Sequence, residues 1–269
     1  MSNRLLQRYT KSMRGAHEEE MNMRRTRRMM GMTMNVEISD PRAGAADLDA
    51  VFDLFRAVDE RFSTYKEGSE VSRYNRGAVT DATASDELRE VLRLCEETKR
   101  ETAGSFDIRR PGGGIDPSGL VKGWMILRAA RLIEARGFDD YAVDAGGDIQ
   151  SKGVNAEGKP WRFGIRHPFE PDKIVKIVEP RGRGLATSGT YARGAHIYDP
   201  LHPGKKLDEL VSLTVIAPDV YEADRFATAA FAMGLAGLDF LARRGFEAYA
   251  IKPDGTALLT PGFQNYVVS

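Results

Sequence analysis

The chain has 269 residues, 42% of them hydrophobic and 29% charged, the composition of an ordinary globular protein that can bury one sizeable core or two intimately packed halves. Its 39 Lys and Arg balance 39 Asp and Glu, so no global charge argues for nucleic acid or an anionic membrane as partner. The single cysteine, Cys95, excludes an intramolecular disulfide and a clustered thiolate metal site.

Residues 1–28 read as a polar N-terminal arm. The stretch "RLLQRYTKSMRGAHEEEMNMRRTRR" is too polar for a secretory signal, and no apolar run in the chain is long enough to span a bilayer. A soluble, cytoplasmic protein with no integral membrane segment is therefore expected. Arg24, Arg25, Arg27 and Arg28 read as a solvated part of the arm rather than a nucleic-acid contact.

From residue 29 to 269 there is no fixed-period repeat and no clear linker, so a single domain is expected. "MMGMTMNVEISD" reads as a strand, with Met32, Met34, Val36 and Ile38 on one side. From Asp47 the pattern turns helical, because Val51, Phe55, Val58 and Phe62 recur at spacings of four, three and four. "FSTYKEGSEVSRYN" breaks that period and reads as a loop or short irregular element. Ser85 is placed to cap a second helix whose Leu88, Val91, Leu92 and Cys95 share a face.

A third helix opens at Ser118, with Gly137 as its C-terminal glycine. "YAVDAGGDIQSKG" reads as two short strands joined through glycines, and "PWRFGIRHP" as another strand. "GRGLATSGTYARGAHIYDP" reads as a glycine-rich connection with short extended pieces. "VSLTVIAP" is rich in β-branched residues and reads as a strand. Asp219 caps the next helix, with Glu222 completing a capping box. The last segment suggests a hairpin turning at Pro253-Asp254-Gly255. The fold class is α+β, a mixed α/β arrangement whose strand order is not legible here.

Chemistry-bearing residues cluster in a few places. Asp224 and Thr228 lie four apart on a helix, so a carboxylate and a hydroxyl can face one point and hold a hard cation such as magnesium. The same aspartate can equally serve only the helix dipole. "GGGIDPSGLVKGW" offers backbone N–H groups at a helix start, a natural phosphate cradle, yet it has neither GxGxxG nor GK[ST]. Lys122 there can pair with a carboxylate or phosphate, or stay solvated. Asp116 can meet a base or flavin edge, or cap the turn. His196 in "GAHIYDP" can move a proton or bind a diphosphate, or be structural. From the residues alone, the chemistry stops at nucleotide phosphate work with magnesium.

Taken in order, "MMGMTM", "RFSTYKEGSEVSRYN", "TAGSFDI", "GGGIDPSGLVKGW", "VDAGGDI", "ATSGTYARGAHIYDP" and "EADRFATAAFAMG" resemble the ApbE family of flavin transferases from about residue 29 almost to the C-terminus. The resemblance implies two intimately packed halves around a nucleotide cleft. It implies magnesium-dependent cleavage of FAD, with FMN passed to a threonine or serine hydroxyl of an acceptor flavoprotein and AMP released. Hydrolysis of FAD to FMN and AMP is the near alternative. A noncatalytic flavin carrier is the alternative from another class.

By the same resemblance, the Gly119 carbonyl, Asp224 and Thr228 hold magnesium. Met30 and Tyr65 lie by the isoalloxazine ring, and Gly104, Ser105 and Phe106 line the FAD site. Asp116 and Lys122 contact the cofactor, as do Ile197 and Asp199 from the motif that carries His196. His196 and Asp224 carry the catalysis. The chain departs from the family pattern at Met30-Gly31-Met32-Thr33, where the threonine is displaced by one, and in a short segment between "FDI" and "IDPSG". No leader segment of the family's kind is expected from residues 1–28 either. The sequence identifies neither the acceptor nor the oligomeric state.

Overall fold

A computed structural model of the chain describes residues 23–170, 172–189 and 197–268. Strands β1 (Met23–Met29) and β2 (Met32–Ile38) form an antiparallel hairpin. Met30 and Gly31 make its two-residue turn at φ of 52° and 71°, the left-handed geometry that hairpin turns of this length need. Residues 23–28, expected in the solvated arm, thus belong to a strand. Its arginines alternate, and Arg25 and Arg27 turn inward, where both pair with Asp49 and the Arg27 guanidinium lies 4.9 Å over the Phe52 ring. The rest of the arm, residues 1–22, lies outside the described residues.

Helix α1 (Ala45–Phe62) buries Leu48, Val51, Phe52, Phe55, Val58 and Phe62, which includes every residue of the period read in the sequence. Fully burying one such side chain contributes about 1.5–3 kcal/mol. The segment expected as irregular contains a short helix, α2 (Glu70–Asn75), whose Ser69 cap accepts the Ser72 N–H at 3.0 Å. Ser85 caps α3 (Asp86–Glu101) through the Leu88 N–H at 3.1 Å, and Cys95 is buried on its inner face. Helix α4 (Ser118–Ala135) ends before Gly137, which takes φ of 88°.

Strands β3 (Tyr141–Ala145) and β4 (Asp148–Lys152) form the hairpin expected through Gly146 and Gly147. Next come β5 (Phe163–Arg166) and β6 (Ile174–Val178), which pair only with each other among the named strands. The glycine-rich connection contains β7 (Gly184–Gly189), a buried strand between β4 and β8 (Ser212–Ala217). Asp219 caps α5 (Val220–Met233) by accepting the Glu222 N–H at 2.9 Å. The Glu222 carboxylate points elsewhere, to Arg225 at 2.7 Å, so the reciprocal half of the expected capping box goes to an ion pair. Helix α6 (Ala236–Arg243), β9 (Glu247–Ile251) and β10 (Ala257–Leu259) complete the order.

Eight strands form one antiparallel sheet in the order β1-β2-β3-β4-β7-β8-β9-β10. Helices α1, α3 and α4 pack with β2 and β3 around one core. Helix α5 packs with β7, β8 and β9 around a second. Alternation along β8 sends Val215 into that second core and Ile216 to the opposite face, where it meets Ile165 and Val178 of the small sheet. Within the sheet the halves join where β4 meets β7, a pairing with the single register contact Ile149↔Leu185. This is a mixed α+β fold of two packed halves. No helix among the described residues is long and apolar enough to cross a membrane.

Candidate active site

A cavity of about 520 Å³ opens beside that seam, within the size range of small-molecule sites. The β1–β2 turn, the loop after α3, the start of α4, the β3–β4 turn, β5, β7 and α5 all contribute to its wall. Six of the seven motifs therefore converge, although more than a hundred residues separate Gly31 from Thr187.

Helices α4 and α5 cross at the floor, and small residues let them approach. A Cβ on Gly123 would lie 2.7 Å from both Asp224 Cβ and the Val220 carbonyl oxygen, so this helix position admits only glycine without movement. The close approach lets the Gly123 N–H donate to Asp224 Oδ2 at 2.7 Å. One turn earlier the Thr228 hydroxyl donates to the Gly119 carbonyl oxygen at 3.3 Å. Gly119 and Gly123 on one helix thus face Thr228 and Asp224 on the other. A carbonyl, a hydroxyl and a carboxylate are a hard-oxygen set, and they suit a small hard cation. No cluster of three His, Cys, Asp or Glu side chains arranged for a metal occurs among the described residues, and this set does not require one.

Asp224 is 3% exposed, and burial pushes its pKa up to about 7. The Lys122 ammonium, 3.6 Å from Asp224 Oδ1, opposes that rise, while the neighbouring Asp148 carboxylate adds to it. Lys122 also sits 2.5 Å from Asp148 Oδ2, and Asp148 Oδ1 accepts the Thr187 N–H at 3.0 Å. Near the end of β3, Asp144 accepts from the Asn35 amide at 3.0 Å and from the Gly147 N–H at 2.8 Å. Its pKa is raised by burial, against the pull of those two donors.

Two side chains brace the segment between α3 and α4. The Asn75 amide accepts the Ile115 N–H at 2.7 Å and donates to the Ile115 carbonyl at 2.9 Å, which fixes the strand of chain just before Asp116. Asp116 Oδ1 then accepts the Ser118 N–H at 3.0 Å at the start of α4, with the residue still in the cavity wall. The Tyr198 hydroxyl lies 2.8 Å from the Asp107 carbonyl and 2.7 Å from that of Arg109, tying the last motif but one to the loop after α3. Burial pushes that phenol up to about 12.

Of the residues singled out in the sequence, Ser105, Phe106, Asp116, Gly119, Lys122, Ile197, Asp224 and Thr228 stand in the wall. Met30 does not, although its neighbours Gly31 and Met32 do. Gly104 lies beside the wall, where a Cβ would meet Leu201 at 3.1 Å. Tyr65 is 96% exposed and outside the lining. Asp199 turns inward to its own loop, accepting from the Leu201 N–H at 2.9 Å and facing His202 Nδ1 at 2.9 Å. His196 lies outside the described residues. Asn35, Asp144, Asp148 and Thr187 were not singled out as individuals. For the two aspartates the signal was present in "VDAGGDI", but only the fold shows that one of them meets Lys122.

A profile of the ApbE family matches residues 30–110 and 108–250. The chain belongs to the ApbE family. A relative from Escherichia coli K12, named FAD:protein FMN transferase, is 35% identical over 169 residues, a match that covers 58% of this chain and 48% of that protein. The chain thus spans about half the length of the first curated relatives it matches. A Vibrio cholerae relative of the same name is 27% identical over a match covering 76% of this chain and 79% of its own. Among solved ApbE structures, the flavin transferase from Vibrio cholerae superposes with a TM-score of 0.79 at 24% identity, covering 91% of this chain and 99% of that one. The ApbE protein of Thermotoga maritima gives 0.81 at 20% identity, with 92% and 100% covered. At these identities the likeness speaks for the ApbE fold alone.

Proposed function

We propose that this ApbE protein cleaves FAD at its diphosphate and passes the FMN moiety to a threonine or serine hydroxyl of an acceptor flavoprotein, releasing AMP. The observation that carries the reading is the convergence of Gly119, Asp224 and Thr228 at a helix crossing in the cavity wall. The names of the relatives support the reaction class. The chemistry balances without a further reactant. The acceptor oxygen forms a bond to the FMN phosphorus, the bond to the AMP oxygen breaks, and the hydroxyl proton leaves to a base.

A magnesium ion held by the Gly119 carbonyl, the Thr228 hydroxyl and Asp224 would neutralise charge on the diphosphate as the bond breaks. Lys122 supplies positive charge from the same wall, where a phosphate can replace one of its carboxylate partners. Ser118 and Gly119 bring the first turn of α4 to the wall, the positive end of a helix dipole, which suits an anion. Phe106 offers an apolar surface to a ring system. For His196 the proposed role is either to activate the acceptor hydroxyl or to organise the diphosphate. Tyr65, if it meets the isoalloxazine ring, does so only once ligand or acceptor covers its exposed face.

The test is to offer the purified protein FAD, magnesium and several flavoprotein acceptor domains, then to measure FMN-sized mass additions beside free FMN. Addition at a threonine or serine is the expected result. Efficient release of free FMN with no addition to any acceptor would move the assignment to an FAD diphosphatase.

A further inference from the structure

Lys122 stands between two buried acids, and it does not share itself equally. Its Nζ lies 2.5 Å from Asp148 Oδ2 and 3.6 Å from Asp224 Oδ1, with side chains 14%, 1% and 4% exposed respectively. Both acids are tethered to the backbone. The Thr187 N–H on β7 holds Asp148, and the Gly123 N–H on α4 holds Asp224. The lysine, on its flexible four-carbon stem, is the partner able to move.

Together the three groups carry two acids and one ammonium, so the cluster has room for more positive charge. A divalent cation on Asp224 would nevertheless face an ammonium only a few ångströms away. In a buried setting, like charges that close repel strongly. Where the ammonium rests therefore decides how readily Asp224 accepts a metal. In this structure it leans towards Asp148.

Resting on the magnesium reading above, we propose that Lys122 is an exchangeable counter-cation for Asp224. Asp148 is the positioning residue that draws the ammonium aside, and the pair thereby sets the affinity of the site for a divalent cation. Without metal, the ammonium stands beside both acids. With metal, Asp224 serves the cation and the ammonium withdraws to Asp148 or to a diphosphate oxygen.

The experiment uses the full chain, stripped of metal and free of FAD, titrated with Mn²⁺ and followed by the electron paramagnetic resonance of the free ion. Charges within about 4–6 Å shift such equilibria by about one to three powers of ten. Lys122→Gln is therefore expected to bind Mn²⁺ about tenfold or more tightly than the natural chain, and Asp148→Asn about tenfold or more weakly. Simple electrostatics alone would give those two signs, so the double variant decides. If Asp148 acts through Lys122, adding Asp148→Asn to Lys122→Gln changes affinity by much less than it does alone.

Fully additive effects would overturn the proposal, as would both single variants shifting in one direction. Lys122→Arg keeps the charge and should keep the weak affinity; tightened binding there would also contradict it. If Lys122→Gln is unfolded without metal, Mn²⁺ should restore its fold, and failure to do so at saturation counts against an exchangeable cation. A natural chain that binds no Mn²⁺ at all would instead remove the magnesium reading on which the proposal rests.

Discussion

Asp224 holds a carboxyl group in a place that penalises its charge. Burial raises its pKa from 3.8 to about 7, with Lys122 opposing and Asp148 reinforcing the rise. In the unfolded chain the same group titrates near 3.8. Between those values the native state keeps a proton that the unfolded state has lost, so this group's contribution to stability is full below about 4 and falls as pH rises towards 7. The metal-free protein should therefore lose Tm between pH 5 and pH 8 by more than an Asp224→Asn variant does. Magnesium at the upper end should recover Tm in the natural chain and leave the variant unmoved. Thermal unfolding across that window, with and without chelator, checks this; parallel pH slopes for the two proteins would contradict it. The two side chains also differ in what they offer a cation. Asp224→Ala should reduce magnesium-dependent AMP release at least as much as the about 10–100-fold that loss of an outer-sphere partner costs. Thr228→Ala, which removes a neutral hydroxyl, should be milder. Rates measured on folded variants would reverse the assignment if Thr228→Ala proved the more damaging.

Among the elements, the α4–α5 crossing makes the site, and glycine sets its spacing. Gly123→Ala places a methyl group 2.7 Å from a backbone oxygen and from Asp224 Cβ, neither of which is the end of a flexible chain. Overpacking of that kind costs about 1–3 kcal/mol. Gly119→Ala meets Thr228 Cγ2 at 3.0 Å, a side-chain methyl that can turn, and should cost less. Comparing the two Tm values tests whether Gly123 is the closer contact; a Gly123→Ala protein at unchanged Tm would refute it. Helices α1, α3 and α4 were legible in the sequence because their signals are local: Val51, Phe55, Val58 and Phe62 repeat on one face, and Ser85 caps. Strand β1 was not. Four arginines read as solvated, yet Arg25 and Arg27 gain partners in Asp49 and Phe52 that only the folded sheet supplies. Strand β7 hid for a related reason. Its sequence Gly-Leu-Ala-Thr-Ser-Gly has few β-branched residues, and small size matters because a Cβ at Gly184 would fall 1.9 Å from the Val220 nitrogen of α5. The six residues of α2 are too few to show a helical period.

Over the whole molecule, the sheet joins two cores through one sparse pairing, Ile149↔Leu185, and the cavity lies beside it. Motifs from both halves meet there, so the site depends on the halves docking correctly. The pair Asp224 and Thr228 was legible because an i, i+4 spacing on a helix is enough to align them. The role of Asp148 was not, since it arises from contacts with Lys122 and Thr187 at separations of 26 and 39 residues. Tyr65, implied by family resemblance, stands exposed rather than in the wall. The activity proposed for this cavity is metal-dependent cleavage of FAD. The direct measurement is AMP released from FAD by metal-stripped protein, with magnesium or with chelator, for the natural chain and for Asp224→Ala. AMP is expected only from the natural chain with magnesium, while the folded variant still binds FAD. Intact FAD after incubation with saturating magnesium, or undiminished AMP from Asp224→Ala, would contradict it.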